Sequence, residues 1–218
     1  MKLPLTLQLC FFLVLGLALL TSCSESQKAL PAVVQENQND QSMANVGEIT
    51  INPFFEESPL YRNYPPFDRI ENSHYLPAFE RGMEEQLAQL SEIVNQASAP
   101  TFENTIIPLE LSGQLLSRVA TVFFSMSSAH TNEGIRELEQ KLAPQLAAHN
   151  DKILLNPALF ERINALQEQR EELQLDAQSL RLLEQYHVDY MRAGAALTSQ
   201  QQDQMRETNK EIAVLQTQ

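Results

Sequence analysis

From Leu76 onward, apolar residues recur at steps of three and four: Leu76, Phe79, Met83, Leu87, Leu90 and Val94. That spacing lays one stripe along a helix, with Pro77 acceptable in its first turn. A second stripe, Leu115, Val119, Val122 and Met126, is widened by Leu116 and Phe123. Its lead-in, "PTFENTIIPLE", is ambiguous, because Pro108 breaks any helix begun at Thr101. A third stripe runs through Ile135, Leu138, Leu142 and Leu146, with a kink predicted at Pro144. Asn156 caps a fourth helix whose first position is Pro157.

A fifth helix is predicted from Asp176 to Ala193, carrying Leu180, Leu183, His187 and Tyr190 on one face and stopped by Gly194. Thr198 and Gln201 form a capping box for a sixth, with Met205, Ile212 and Leu215 as its apolar positions. No stretch alternates with the two-residue period of a strand. The predicted fold is all-α, built of antiparallel helical hairpins. The last helix reaches Gln218 without glycine, proline or a basic final turn, an ending that suits a fragment of a longer chain.

The first fifty residues follow a different pattern. Lys2 precedes an apolar run over residues 9–20, about the length of a secretory core and short for a membrane span. "LTSC" then ends at Cys23. This resembles the lipobox of bacterial lipoproteins, in which the cysteine is lipidated and becomes the first mature residue. The expected division is a signal peptide over 1–22, lipidated Cys23 with a flexible tether over 23–50, and an incomplete N-terminal helical domain over 51–218. As a random coil the tether would span on the order of 25–30 Å. The localisation implied is the bacterial cell envelope, anchored by lipid to the outer membrane and facing the periplasm. Ser24 resembles the residue that favours outer-membrane sorting.

Between tether and helices lies "INPFFEESPLYRNYPPFDRIENS". Pro53, Pro59, Pro65 and Pro66 forbid a continuous helix there. An extended segment pinned to the helical body by Phe54, Phe55, Tyr61 and Phe67 is expected.

Composition agrees with helix: tryptophan is absent and only 6 glycines occur in 218 residues. The formal charge of -13 argues against nucleic acid as a partner, since such binding needs clustered Lys and Arg. Cys10 lies in the leader and Cys23 would carry lipid, so no thiol pair remains for a disulfide.

The stretch "IENSHYLPAFERGMEEQLAQL" places a histidine and several glutamates on one helix. At about 100° per residue, His74 and Glu80 lie roughly 240° apart, Glu84 is no better, lying ~15 Å along the axis, and Glu85 falls ~16 Å along it. Zinc ligands must converge to about 2.0–2.2 Å from one ion, so this helix alone builds no metal site. The four histidines, His74, His130, His149 and His187, include no pair at the four-residue spacing of a zincin helix. His187 reads as a packing residue, and Glu84–Glu85 and Glu171–Glu172 as solvated surface. Tyr186 and Tyr190, with Arg192, could line a ligand cleft, although that spacing more often serves packing. No catalytic or metal residue is assigned in this chain.

The segment "NPFFEESPLYRNYPPFDRIENSHYLPAFERGMEEQ" resembles the N-terminal region of bacterial peptidyl-dipeptidases, relatives of thimet oligopeptidase, oligopeptidase A and neurolysin. "APTFENTIIPLELSGQLLSRVATVFFSM", "LAPQLAAHNDKILLNPALFERI" and "LRLLEQYHVDYMRAGAAL" extend the likeness in the same order. The resemblance implies a channel-type, all-α zinc metallopeptidase acting on short peptides and releasing C-terminal dipeptides. It also implies that the zinc cofactor is held in a C-terminal catalytic region downstream, this segment forming one wall of the channel. The rival reading is a non-catalytic helical lipoprotein that binds a peptide or protein.

Overall fold

A computed structural model describes residues 52–217. The leader over 1–22, Cys23 and the tether to residue 50 lie outside the described residues. Seven α-helices follow one another: α1 (Asn72–Val94), α2 (Ile107–Leu111), α3 (Gln114–Ala129), α4 (Glu133–Leu154), α5 (Pro157–Glu168), α6 (Ala177–Ala193) and α7 (Ser199–Leu215). No strand occurs among the described residues, and none of their helices is long and apolar enough to cross a membrane.

Helix α1 is the spine. Its buried line runs through Tyr75, Ala78, Phe79, Gly82, Gln86, Leu90 and Ile93. That line is turned by about one residue from the predicted stripe, leaving Leu76, Met83, Leu87 and Val94 half-buried on its flank. The reason lies at Gly82, where a Cβ would stand 2.8 Å from the Leu116 amide nitrogen and 2.9 Å from its Cα. Glycine lets α3 cross against the α1 backbone. Contacts of Tyr75 with Phe123, Gly82 with Leu116 and Gln86 with Ser112 run in opposite chain order, so α1 and α3 are antiparallel.

Two apolar clusters result. The first joins Phe54, α1, α3 and α4 through Tyr75, Phe79, Val119, Phe123, Ile135 and Leu142. The second joins the later half of α1 to α2, α5 and α6 through Leu90, Ile93, Ile106, Leu159, Ile163 and Leu183. Helix α7 lies antiparallel to α4, with Asn209 donating to Asp151 at 2.7 Å and Gln140 to the Thr217 carbonyl at 3.2 Å. This pair is not sequential; α5 and α6 intervene. Predicted apolar positions Ile212 and Leu215 remain 46% and 59% exposed, because α7 docks partly through polar Gln202 and Asn209.

Of the four helical prolines, Pro77 and Pro108 depart from expectation. Pro77 is the sixth residue of α1, past its first turn, and α4 continues through Pro144 without a break. Each proline deprives the carbonyl four residues back of its donor. Those residues, Ser73 and Gln140, are exposed and face water. At Pro108 the chain adopts a π turn over Phe102–Ile106, capped by Thr101 and Asn104, and α2 then starts with Pro108 in its first turn. The Asn104 carbonyl, four before Pro108, accepts instead from Gln96 Nε2 at 3.4 Å. Pro108 therefore shapes this helix without preventing it.

The proline-rich segment is pinned at fewer points than the sequence suggested. Phe54 is buried, its carbonyl accepts from Arg118 at 2.6 Å, and Asn52 donates to the His74 carbonyl at 2.8 Å. Phe55 packs beneath the Arg81 guanidinium, 4.4 Å from ring centroid to carbon. Tyr61 and Phe67, expected as pins, are 78% and 48% exposed. Arg62 and Asn63, next to Tyr61, both take positive φ, while Pro66 beside Phe67 is buried.

Candidate functional site

Where the two apolar clusters meet, the interior is polar. His149 of α4 is buried, and its Nε2 lies 2.7 Å from Gln86 Oε1 of α1. Because that oxygen only accepts, Nε2 carries the proton and Nδ1 is a lone pair. Gln86 Nε2 reaches Ser112 Oγ at 3.4 Å, and the Gly113 amide donates to Gln89 Oε1 at 2.9 Å. Gly113 stands at φ 71°, and a Cβ there would meet the Gln86 side chain at 2.5 Å. Burial, with a smaller push from Lys152, lowers the His149 pKa to about 4. This neutral imidazole clamps three elements. Sequence reading passed over it, although Gln86 falls on the apolar line between Phe79 and Leu90 and so invited a buried partner.

The other histidines serve separate ends. His74 Nδ1 accepts from the Glu71 amide at 3.0 Å and caps the start of α1. His130 is exposed just after α3. His187 stacks on Phe160, centroids 6.0 Å apart, and its Nε2 lies 3.1 Å from Asn164 Oδ1. It is a packing residue, as its position on an apolar face predicted.

Tyr186 donates to Glu110 at 2.6 Å, joining α6 to α2. Burial, and then that bond, raise its hydroxyl above the usual tyrosine range. Tyr190 is buried among the second cluster and burial raises it likewise; Arg192 is exposed. These three do not converge on a cleft. Glu85 pairs with Arg81 at 2.7 Å and Glu171 with Arg170 at 3.6 Å, while Glu84 and Glu172 face solvent. Among the described residues no three side chains of His, Cys, Asp or Glu gather where one ion could be held. The donors of the described residues do not fit a zinc ion.

What the helical body is related to is decided by comparison. No protein-family model matches the chain. Dipeptidyl carboxypeptidase of Salmonella typhimurium is 42% identical over 170 residues, covering 78% of this chain and 25% of that protein. Its Escherichia coli counterpart is 41% identical over 169 residues, with the same coverage. By these matches the chain resembles the peptidyl-dipeptidases. Oligopeptidase A of Haemophilus influenzae is a more distant match, 23% identical over 154 residues and 22% of its length. The chain thus corresponds to a peptidyl-dipeptidase N-terminal region, and spans about a quarter (25%) of the dipeptidyl carboxypeptidases it matches.

Proposed function

We propose that this chain is the helical N-terminal part of a zinc metallopeptidase that cleaves short oligopeptides and releases C-terminal dipeptides. The identity of 41–42% across 78% of the chain to two dipeptidyl carboxypeptidases carries this reading. Its own residues act as scaffold: α1 is held against α3 at Gly82, and His149 locks α4 onto α1. Such a rigid layer suits one wall of a substrate channel. Zinc, when bound, would activate water and polarise the peptide carbonyl, and its ligands would come from polypeptide outside this chain. Cys23 carries the lipid that holds the peptidase at the envelope, facing the periplasm.

The coding frame beyond the Gln218 codon provides the test. Continuation through a His-Glu-x-x-His sequence is expected, and the 218-residue product alone should not hydrolyse a blocked tripeptide in the presence of zinc. An immediate stop codon would favour the non-catalytic binding module. Chelator-sensitive hydrolysis by the 218-residue product would overturn the scaffold assignment.

A further inference from the structure

Arg118 on α3 has a guanidinium with five N–H donors, of which one reaches the Phe54 carbonyl. Its Nε is shut off from bulk solvent and finds no acceptor among the described residues. No carboxylate among them pairs with it either, the ion pairs being those of Arg81, Arg170, Arg181 and Arg206. The same side chain lines a cavity of about 20 Å³ between α3 and the proline-rich segment, with Glu56, Ser58 and Asn63 supplying the other polar lining.

Size and chemistry select the occupant. A water needs about 10–15 Å³ and two to four polar partners, and a cavity of about 20 Å³ lined by Arg118, Glu56, Ser58 and Asn63 has room for one. A small anion would be drawn to Arg118 but would face the Glu56 carboxylate on the same wall. Water satisfies both charges, accepting from one and donating to the other. We propose that the cavity is a binding site for one long-lived water molecule, linking the Arg118 guanidinium to Glu56, Ser58 or Asn63. It would fasten the segment next to Arg62 and Asn63, whose positive φ values need surrounding structure to persist.

The full chain is the material for the test. A crystal structure that resolves ordered solvent should show one oxygen within hydrogen-bond distance of an Arg118 guanidinium nitrogen and of a second polar atom from Glu56, Ser58 or Asn63. In solution, the Arg118 side-chain N–H should give a cross-relaxation peak to water with the sign of a long-lived complex. Arg118→Met should abolish the bound oxygen and speed amide exchange at Asn63 and Tyr64 by tenfold or more, with α5 and α6 unchanged. Glu56 paired directly with Arg118, an acceptor from residues 1–51 in the cavity, or the absence of the water peak would each overturn the proposal.

Discussion

At the scale of single residues, His149 gives the clearest consequence. Its pKa is lowered in the fold to about 4 from 6.5, so the native state favours the neutral ring. Above about pH 6.5 neither state takes the proton and the clamp holds in full. As pH falls from 6.5 towards 4 the unfolded chain protonates first, and stability is lost by up to about 3 kcal/mol. Carboxylates titrate chiefly below this range, which isolates the window between pH 6.5 and 5. Thermal melts should decline across it for the wild-type chain. His149→Met should flatten that slope; an unchanged slope would remove His149 as its origin. Gly82 gives a prediction of opposite sign to propensity. In an isolated helix Gly→Ala is worth about 1 kcal/mol in favour of alanine. Here Gly82→Ala should instead lower stability by about 1–3 kcal/mol, because α3 backbone occupies the space. Denaturant titration reads the sign directly.

At the scale of elements, capping is a separable contribution. Asn156 Oδ1 accepts from the amides of Ala158 and Leu159 at 3.0 and 3.1 Å. Asn156→Ala should cost about 1 kcal/mol, while Asn156→Asp should keep most of that. The same features show how far the sequence could be read. Starts and stops were legible because they depend on local chemistry: Asn156 and Thr198 as caps, Pro157 at a first position, Gly194 at φ 99° as a stop. The rotation of α1 was not legible, because its buried line includes a glycine and a glutamine that an apolar count ignores. The π turn was hidden because Gln96, from outside the turn, takes the carbonyl Pro108 leaves free. Tyr61 and Phe67 misled because aromatic character implied burial, whereas Phe54 and Pro66 are the residues of this segment that reach the interior. In the candidate site, the separation of the four histidines was visible from spacing, but the pairing of His149 with Gln86 crosses 63 residues and needed the fold.

At the scale of the whole molecule, large apolar residues remain uncovered. Leu111, Leu215, Met191 and Ile212 are 61%, 59%, 45% and 46% exposed. Contiguous exposed apolar surface of more than a few hundred Å² marks an interaction site, and the chain spans a quarter of the dipeptidyl carboxypeptidases it matches. The isolated 218-residue chain should therefore bind a hydrophobic dye or self-associate. A sharp melt without dye binding would point to a self-sufficient module. The envelope assignment makes its own prediction: labelled palmitate should be incorporated by cells expressing the chain and lost in Cys23→Ala. Equal labelling of that variant would remove the anchor.

The central claim, that this chain is the scaffold of a peptidyl-dipeptidase, is met most directly by a chimera. The matching 170 residues of the Salmonella typhimurium dipeptidyl carboxypeptidase are replaced by the corresponding residues of this chain, and dipeptide release from a blocked tripeptide is measured. Release within about tenfold of the parent kcat/KM is expected, a change in barrier of no more than about 1.4 kcal/mol. A chimera that folds and melts cooperatively yet releases no dipeptide would contradict it.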